Sequence, residues 1–262
     1  MLVLSDIHFA LEPLRRVVAS GETLVILGDL VNLTDYRTGE GAVADVLGME
    51  FARASASARG SGDYQRMRGL WLETVGDRVD EVRQAIGDAI GAQYVRVSEA
   101  LEGGHGFVIH GNVDRPRLLA DALPEGYEYV HGQAREIDGV RFGFVGGGAA
   151  TPLEAEGEVS DEAMTELLTG LGEVDVLCTH VAPAVDPLQT DVITGRAERG
   201  SAPVFDFIRS NRPRLHLFGD VHQPQASSWR IGPTRCRNVG YFRATGRPLR
   251  LHPADLGETA GR

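Results

Sequence analysis

The segment LVLSDIH at residues 2–8 is a short apolar run that ends directly in two side chains able to bind metal. Continuous apolar runs without alternation are typical of strands covered on both faces. The same arrangement recurs at residues 24–27 before Gly28-Asp29, 107–109 before Gly111-Asn112, 174–178 before Thr179-His180, and 215–218 before Gly219-Asp220-Val221-His222. Because sites in such sheets collect where strands end, we expect these polar residues to meet in the folded protein.

Helical periodicity separates the second run from the third. Apolar residues at spacings of three and four predict one long amphipathic helix over residues 72–101. A weaker helical pattern over residues 43–51 precedes a Gly/Ser/Ala/Arg stretch at residues 52–62, whose composition predicts a loop. We interpret residues 33–105 as a helical insertion, which serves either as a scaffold pair of helices or as a lid or dimer surface.

Capping and turn residues predict the rest of the chain. Ser160 is suited to cap a helix that continues through residue 171, and Pro203 is suited to the first turn of a helix that ends near Asn211. Beyond these helices, residues 229–231 and 239–242 are short runs separated by Gly and Pro, which predicts antiparallel strands.

Length and composition limit the class of protein. With 262 residues and 42% hydrophobic content, we expect a single domain over residues 1–262. No apolar run is long enough to span a bilayer, and the run at residues 2–4 is too short for a secretory signal, so we expect a cytoplasmic protein without a membrane partner. The formal net charge of −11 argues against nucleic acid as a partner.

Taken together, the segments SDIH, GDLVN, GNVD, THVAP and GDVHQP resemble the signature of the calcineurin-like metallophosphoesterase family, which runs DxH, GDxxD, GNHD or GNHE, a later His, and GHxH. The resemblance spans Asp6 to His222, which is most of the chain. It implies an α/β fold, namely a four-layer α/β/β/α sandwich of two mixed sheets flanked by helices. It also implies two divalent metal ions bridged by one aspartate.

The resemblance assigns ligands to both ions. Carried over position by position, the first ion is held by Asp6, His8, Asp29 and His222, and the second by Asp29, Asn112, His180 and Asp220. Carboxylate, amide and imidazole ligands suit Mn²⁺ or Fe, with Zn²⁺ as the alternative. Ions roughly 3.5–4 Å apart stabilise both the attacking and the departing oxygen at phosphorus. We therefore expect a phosphoesterase that hydrolyses monoesters or diesters of a small substrate through a metal-bridging hydroxide.

The sequence departs from the family pattern at two positions. Val113 stands where the family places the histidine that protonates the leaving group or stabilises the phosphate, and valine can do neither. Asp114 is retained beside it, and Arg115 is able to neutralise a phosphate oxygen. Asp220 replaces the first His of GHxH and is itself a good ligand for hard ions. Besides the ligands Asp29 and Asn112, we therefore take Asp114 and Arg115 as candidate catalytic residues.

Two other functions stay open. Val113 and Asp220 are also consistent with a noncatalytic scaffold that has kept the fold and lost the chemistry. A nuclease would use the same two-metal chemistry on a nucleic-acid diester. The acidic composition favours a small phosphate ester over a polyanion.

Overall fold

The computed structural model describes residues 1–35, 37–193 and 195–256. The chain divides into two compact units, one comprising Met1–Leu30 with Ser98–Arg262 and the other Val31–Val97. The second unit corresponds to most of the predicted helical insertion at residues 33–105. Whether the whole chain acts as one domain stays a prediction.

The first unit contains a five-stranded mixed sheet in the order β15-β1-β2-β3-β4. Its strands are β1 (Leu2–Leu4), β2 (Leu24–Ile26), β3 (Gly106–Val108), β4 (Tyr127–Tyr129) and β15 (Leu249–Arg250). Strands β1 to β4 are parallel, and β15 pairs antiparallel with β1. Helix α1 (Leu11–Val18) follows β1, and helix α6 (Pro116–Ala122) follows β3.

A six-stranded mixed sheet in the order β13-β14-β12-β9-β6-β5 completes the core of this unit. Its strands are β5 (Gln133–Ile137), β6 (Val140–Val145), β9 (Val176–Thr179), β12 (Leu215–Phe218), β13 (Ser228–Ile231) and β14 (Thr234–Asn238). The four inner strands are parallel, and both edge strands are antiparallel to their neighbours. Helices α7 (Asp161–Leu171) and α9 (Ala202–Asn211) pack against this sheet.

Smaller elements connect these layers. Strands β7 (Gly148–Ala149) and β8 (Glu158–Val159) form a parallel pair, and β10 (Thr190–Asp191) and β11 (Arg196–Ala197) form an antiparallel pair. The short helices are α8 (Asp186–Gln189), α10 (Phe242–Thr245) and α11 (Pro253–Leu256).

Two apolar layers hold the first unit together. One lies between the sheets, where Val25 and Ile109 of the first sheet pack with Phe142 and Leu217 of the second. The other lies between the second sheet and helices α7 and α9, where Leu168 and residues of α9 are buried. The predicted sandwich of two mixed sheets flanked by helices is confirmed, as are strands at all five apolar runs.

The helical insertion differs from the prediction in detail. It contains α2 (Ala42–Leu47), α3 (Met49–Gly60), α4 (Tyr64–Val75) and α5 (Val79–Leu101). The loop predicted at residues 52–62 is wrong, because alanine and arginine favour the helix and Ala52 is buried. The single helix predicted over residues 72–101 is also wrong, since Gly76 ends α4 with a φ of 55°.

After residue 160, the two predicted helices and the strand predicted at residues 229–231 are confirmed, whereas the sequence does not predict α8, β10, β11 and β14. Ser160 caps α7 by accepting a hydrogen bond from the Ala163 N–H, and α9 spans Ala202–Asn211. The strand predicted at residues 239–242 is wrong, because β14 ends at Asn238 and α10 begins at Phe242. Across the described residues, no helix has both the length and the apolar character needed to cross a bilayer.

Candidate metal centre

The predicted ligands follow strands of both sheets in the first unit. Asp6, Asp29 and Asn112 come after β1, β2 and β3, which are parallel neighbours in the first sheet. His180 and Asp220 come after β9 and β12, which are parallel neighbours in the second sheet. Parallel neighbours end at the same edge of a sheet, so each sheet presents its ligands on one side.

Several of these ligands have an unusual backbone conformation. The φ angle is 57° at Asp6, 41° at His8, 56° at Asp29 and 67° at Asp220, within the left-handed region that residues other than glycine rarely adopt. Such a conformation costs on the order of 1 kcal/mol or more and persists only where the surroundings enforce it. The turns at the strand ends therefore fix the direction in which these side chains point.

The first donor cluster consists of Asp6, His8 and His222. The Nε2 atoms of His8 and His222 lie 3.1 Å apart, and His222 Nε2 lies 3.5 Å from Asp6 Oδ1. One ligand atom from each residue falls within 4.8 Å of the others. Among the described residues, no hydrogen-bond donor reaches the buried Asp6 Oδ1. A cation between these three side chains would satisfy that oxygen.

The second donor cluster consists of Asn112, His180 and Asp220. His180 Nε2 lies 3.3 Å from Asn112 Oδ1 and 3.7 Å from Asp220 Oδ1. The other ring nitrogen, His180 Nδ1, donates a hydrogen bond to the Leu27 carbonyl oxygen at 2.7 Å. That bond fixes the ring orientation and leaves Nε2 directed at the carboxylate and amide oxygens.

Asp29 lies between the two clusters and offers one carboxylate oxygen to each. Its Oδ2 is 3.5 Å from His8 Nε2 in the first cluster, and its Oδ1 is 3.6 Å from His180 Nε2 in the second. The side chain is buried. The Val113 N–H also donates to Oδ1 at 3.1 Å, which holds the carboxylate plane in place.

Without a bound cation, the electrostatics of Asp29 and His180 are strongly perturbed. Burial raises the pKa of Asp29 to about 7, an increase that His180 opposes and that Asp114 and Asp6 reinforce. Burial would lower the pKa of His180, but Asp29, Asp220 and Asp6 raise it to about 9. The carboxylates around His180 therefore carry negative charge, which the protonated His180 ring neutralises only in part.

The first cluster shows the opposite pattern at His8, whereas the charges of Asp6, Asp29 and Asp220 raise the pKa of His222 against the effect of burial. Burial together with His222 lowers the pKa of His8 to about 3. Burial would raise the pKa of Asp6, but its contact with His222 and the charges of His180 and His8 lower it to about 2. A neutral imidazole beside an ionised carboxylate is the protonation state that metal ligation requires.

These residues fit a metal ion. The buried aspartates and histidines converge, one acidic oxygen has no donor, and the oxygen and nitrogen ligands are those that hard and borderline divalent ions prefer. The two cysteines, Cys178 and Cys236, are buried within the second sheet and belong to neither cluster.

Asp114 supports the site through hydrogen bonds to the backbone. Its carboxylate accepts hydrogen bonds from the backbone N–H groups of Asp29 at 2.7 Å, Leu30 at 3.1 Å and Gly111 at 2.9 Å. These bonds tie the turn after β2 to the turn after β3. Gly111 is required there, because a Cβ atom at that position would clash with Asp29 Oδ1.

Arg115 and Val113 have few contacts with the predicted ligands. Arg115 forms an ion pair with Glu156 at 3.3 Å, in which the glutamate side chain is mostly exposed. Val113 offers the site only its backbone N–H. The neighbouring His110 is buried, and its Nδ1 pairs with the Tyr129 hydroxyl at 2.7 Å.

Residues 238–243 also shape the site, and the sequence analysis missed them. The buried Asn238 Nδ2 donates to the carbonyl oxygens of Gly219 at 3.3 Å and Val221 at 2.9 Å, which flank Asp220. The Tyr241 ring stacks on His222 with centroids 3.9 Å apart and an interplanar angle of 2°. The only signal in the sequence is the short run at residues 239–242, whose composition predicts a strand.

The same segment reaches the first strand end as well. The N–H groups of Phe242 and Arg243 donate to the carbonyl oxygens of Ser5 and Asp6 at 3.2 and 3.0 Å. Arg243 Nη1 donates to the His8 carbonyl oxygen at 2.6 Å. Residues 238–243 therefore link the loop that carries Asp6 and His8 to the loop that carries Asp220 and His222.

The fold and these clusters define a two-sheet α/β protein with buried acidic and imidazole groups that could hold a metal ion. The sequence matches no protein-family model and no curated protein. The structure is similar to the crystal structure of TT1561 of Thermus thermophilus, with a TM-score of 0.51 and 17% identity over 92% of this chain and 89% of that chain. A second crystal structure gives a TM-score of 0.57 and 16% identity over 92% and 90% of the two chains. At such identities the likeness shows the fold alone.

Proposed function

We propose that this protein is a calcineurin-like metallophosphoesterase that hydrolyses a phosphate ester of a small substrate. The observation that carries the proposal is the position of Asp29, whose two oxygens face two separate donor clusters 3.5 and 3.6 Å away. A carboxylate shared in this way is what a dinuclear centre requires. The sequence resemblance from Asp6 to His222 supplies independent support.

The ligand sets follow from the two clusters. Asp6, His8 and His222 with Asp29 Oδ2 would hold one ion, and Asn112, His180 and Asp220 with Asp29 Oδ1 would hold the other. Three carboxylates among the donors favour Mn²⁺ or Fe over Zn²⁺. When bound, two such ions supply positive charge to the reacting phosphate oxygens and lower the pKa of water.

The protein side chains set limits on the substrate. No imidazole is present at position 113 to protonate a leaving group. His110 does not replace it, since the ring is buried and engaged by Tyr129. General acid catalysis typically contributes about 10²–10⁴-fold, so esters with acidic leaving groups are the favoured substrates.

Asp114 acts in this proposal as a positioning residue and not as a proton donor. Its carboxylate is occupied by three backbone N–H groups, one of which belongs to Asp29. Arg115 is held by Glu156 and takes part in catalysis only if a phosphate oxygen displaces that partner.

A noncatalytic scaffold is the second candidate, and Val113 is the observation that favours it. A phosphoesterase hydrolyses its substrate, whereas a scaffold does not. Purified protein with Mn²⁺ is assayed against bis-p-nitrophenyl phosphate, whose leaving group needs no proton, and against a matched alkyl ester. We expect hydrolysis of the nitrophenyl ester alone. Full metal loading with no hydrolysis under any divalent ion would leave the scaffold as the function.

Matched variants identify the residues responsible for that activity. Asp29→Asn retains the shape and the tolerance for a positive φ but removes the charge, so we expect activity to fall to background. Asp121→Asn, an exposed aspartate on α6, is the control and should retain full activity. Equal activity in the two variants would refute the proposed centre.

A further inference from the structure

An open groove in the first unit is lined by arginine and aromatic side chains. It has a volume of about 640 Å³ and lies between the end of α9 and the edge strand β13. Phe205, Arg209 and Arg212 line it from α9 and the residue that follows, and Trp229 and Arg230 line it from β13. None of the predicted metal ligands lines it. The groove and the two donor clusters therefore have no residue in common.

The arginines of this groove differ from most others in the protein. Ion pairs with carboxylates are formed by Arg15, Arg115, Arg135, Arg199, Arg214, Arg235 and Arg250. Within residues 1–35, 37–193 and 195–256, no such pair involves an arginine of the groove. Asp186 also lines the groove, and its Oδ1 accepts a hydrogen bond from Gln189 Nε2 at 3.3 Å. Two arginines on the α9 side, Arg209 and Arg212, against one carboxylate make the groove locally positive in a chain of net charge −11, which favours an anion.

The aromatic residues add a flat apolar surface. Trp229 is 43% exposed, although it is the largest side chain on β13. It lies two residues before the buried Ile231 in the strand, so both side chains lie on the face of β13 that packs against α9. The Arg209 guanidinium carbon lies 5.7 Å from the Phe205 ring centroid. An exposed indole next to guanidinium groups without carboxylate partners suits a ligand that has both a planar ring and an anionic group.

We propose that this groove binds a nucleoside monophosphate, with its phosphate on Arg209 and Arg212 and its base stacked on Trp229. Guanidinium groups bind phosphate through paired, charge-assisted hydrogen bonds. The volume lies within the range of about 300–1,000 Å³ that small-molecule sites occupy. A mononucleotide is favoured over a nucleic acid because the chain as a whole is acidic.

The probe is AMP, which is titrated in EDTA against the 262-residue chain that carries the substitutions Asp29→Ala and Trp71→Phe. The first substitution removes the predicted metal centre as a competing site, and the second leaves Trp229 as the only tryptophan. We expect a saturable change in Trp229 fluorescence. Adenosine and inorganic phosphate should each bind more weakly than AMP. Adenosine lacks the phosphate that the arginines bind, and inorganic phosphate lacks the base that stacks on Trp229.

Variants assign the binding to the groove. Arg209→Gln with Arg212→Asn should weaken AMP binding at least about tenfold, and asparagine suits the φ of 54° at position 212. Arg68→Gln with Arg83→Asn makes the same charge change at two exposed arginines of the insertion and should leave binding unchanged. Thermal melting shows whether each variant folds. Trp229→Leu, read by calorimetry, is a second test on the exposed edge strand.

Three results would overturn the proposal. The first is no fluorescence or calorimetric response to millimolar AMP. The second is equal AMP affinity in the groove variant and the control variant. The third is phosphate or a thymidine oligonucleotide binding as tightly as AMP, which would exclude recognition of a mononucleotide. Each result is independent of phosphoesterase activity, because the metal centre is absent from the protein that is tested.

Discussion

The two donor clusters meet at Asp29 but are held in place in different ways. The His180 side chain is 0% exposed, and its Nδ1 is bonded to the carbonyl oxygen of Leu27, directly after β2. The His222 side chain is 28% exposed and rests on the ring of Tyr241. The histidine of the second cluster is therefore fixed by a core contact, whereas His222 of the first cluster depends on a loop contact. We expect the second cluster to keep its geometry without an ion and the first to need one.

The two clusters should differ most in the free energy of unfolding that is lost when a histidine is removed from each. His180→Ala leaves the buried Leu27 carbonyl oxygen with only the long hydrogen bond from Ser5 Oγ at 3.4 Å, so the free energy of unfolding in EDTA should fall by about 1–3 kcal/mol. His222→Ala removes a partly exposed ring and should have a much smaller effect. Urea denaturation of both variants measures the two values. Equal losses would contradict the proposed difference in rigidity.

A similar loss in the free energy of unfolding is expected when Asn238 is replaced, because this residue supports both clusters through the loop after β12. Asn238→Ala removes the donor of the Val221 carbonyl oxygen and one of the two donors of the Gly219 carbonyl oxygen, at a cost of about 1–3 kcal/mol. Metal affinity should fall about 10–100-fold, as is typical when the partners of ligands are removed. Asn211→Ala, at an exposed position, is the control. Calorimetric titration with Mn²⁺ that finds the same affinity in both variants would argue against this role.

The pH dependence of stability separates protein without metal from protein with metal. The pKa of Asp29 is raised to about 7, so the folded state holds a proton that the unfolded state loses near 3.8. The pKa of His180 is raised from 6.5 to about 9, so its stabilising charge is complete below 6.5 and is lost towards 9. In EDTA both effects make stability fall as pH rises, through 3.8–7 for Asp29 and 6.5–9 for His180.

Bound Mn²⁺ should reverse this trend, because the ion competes with both protons and binds more tightly as pH rises. Melting temperatures measured from about pH 6 to about pH 9, with EDTA and with Mn²⁺, test the prediction. Parallel curves under the two conditions would show that these groups do not bind the ion.

The smallest effect is expected at Tyr241, which supports only the first cluster. Stacked ring pairs contribute about 0.5–1.5 kcal/mol, so Tyr241→Leu should weaken the binding of one ion by roughly 2- to 12-fold and leave the binding of the other unchanged. Stepwise removal of Mn²⁺ by a chelator, followed by metal analysis, distinguishes the two ions. Equal weakening of both would show that the clusters are not independent at this residue.

Much of the fold was predictable because buried strands and their glycine turns leave local signals. All five apolar runs form strands, and the polar residues after them converge, since parallel neighbours end at one edge. The helical insertion was predicted, but its internal breaks were not. Gly76 ends a helix at a point where the apolar spacing continues without interruption, so periodicity alone could not locate it.

The supporting residues of the centre were harder to predict for a physical reason. Asn238 and Tyr241 act on loops that begin about 20 and 230 residues earlier in the chain, and their role depends on β14 pairing beside β12. No local spacing encodes such a contact. The run after β14 has strand composition, yet hydrogen bonds to Ser5 and Asp6 draw it into a turn and α10.

The shared position of Asp29 is tested most directly by counting the ions bound to each chain. Protein loaded with Mn²⁺ and dialysed is analysed by mass spectrometry for wild type, Asp29→Ala and the control Asp121→Ala. The proposed centre predicts two ions per chain in wild type and control, and loss of tight binding at both positions in Asp29→Ala. Two tightly retained ions in Asp29→Ala, or none in wild type, would contradict it.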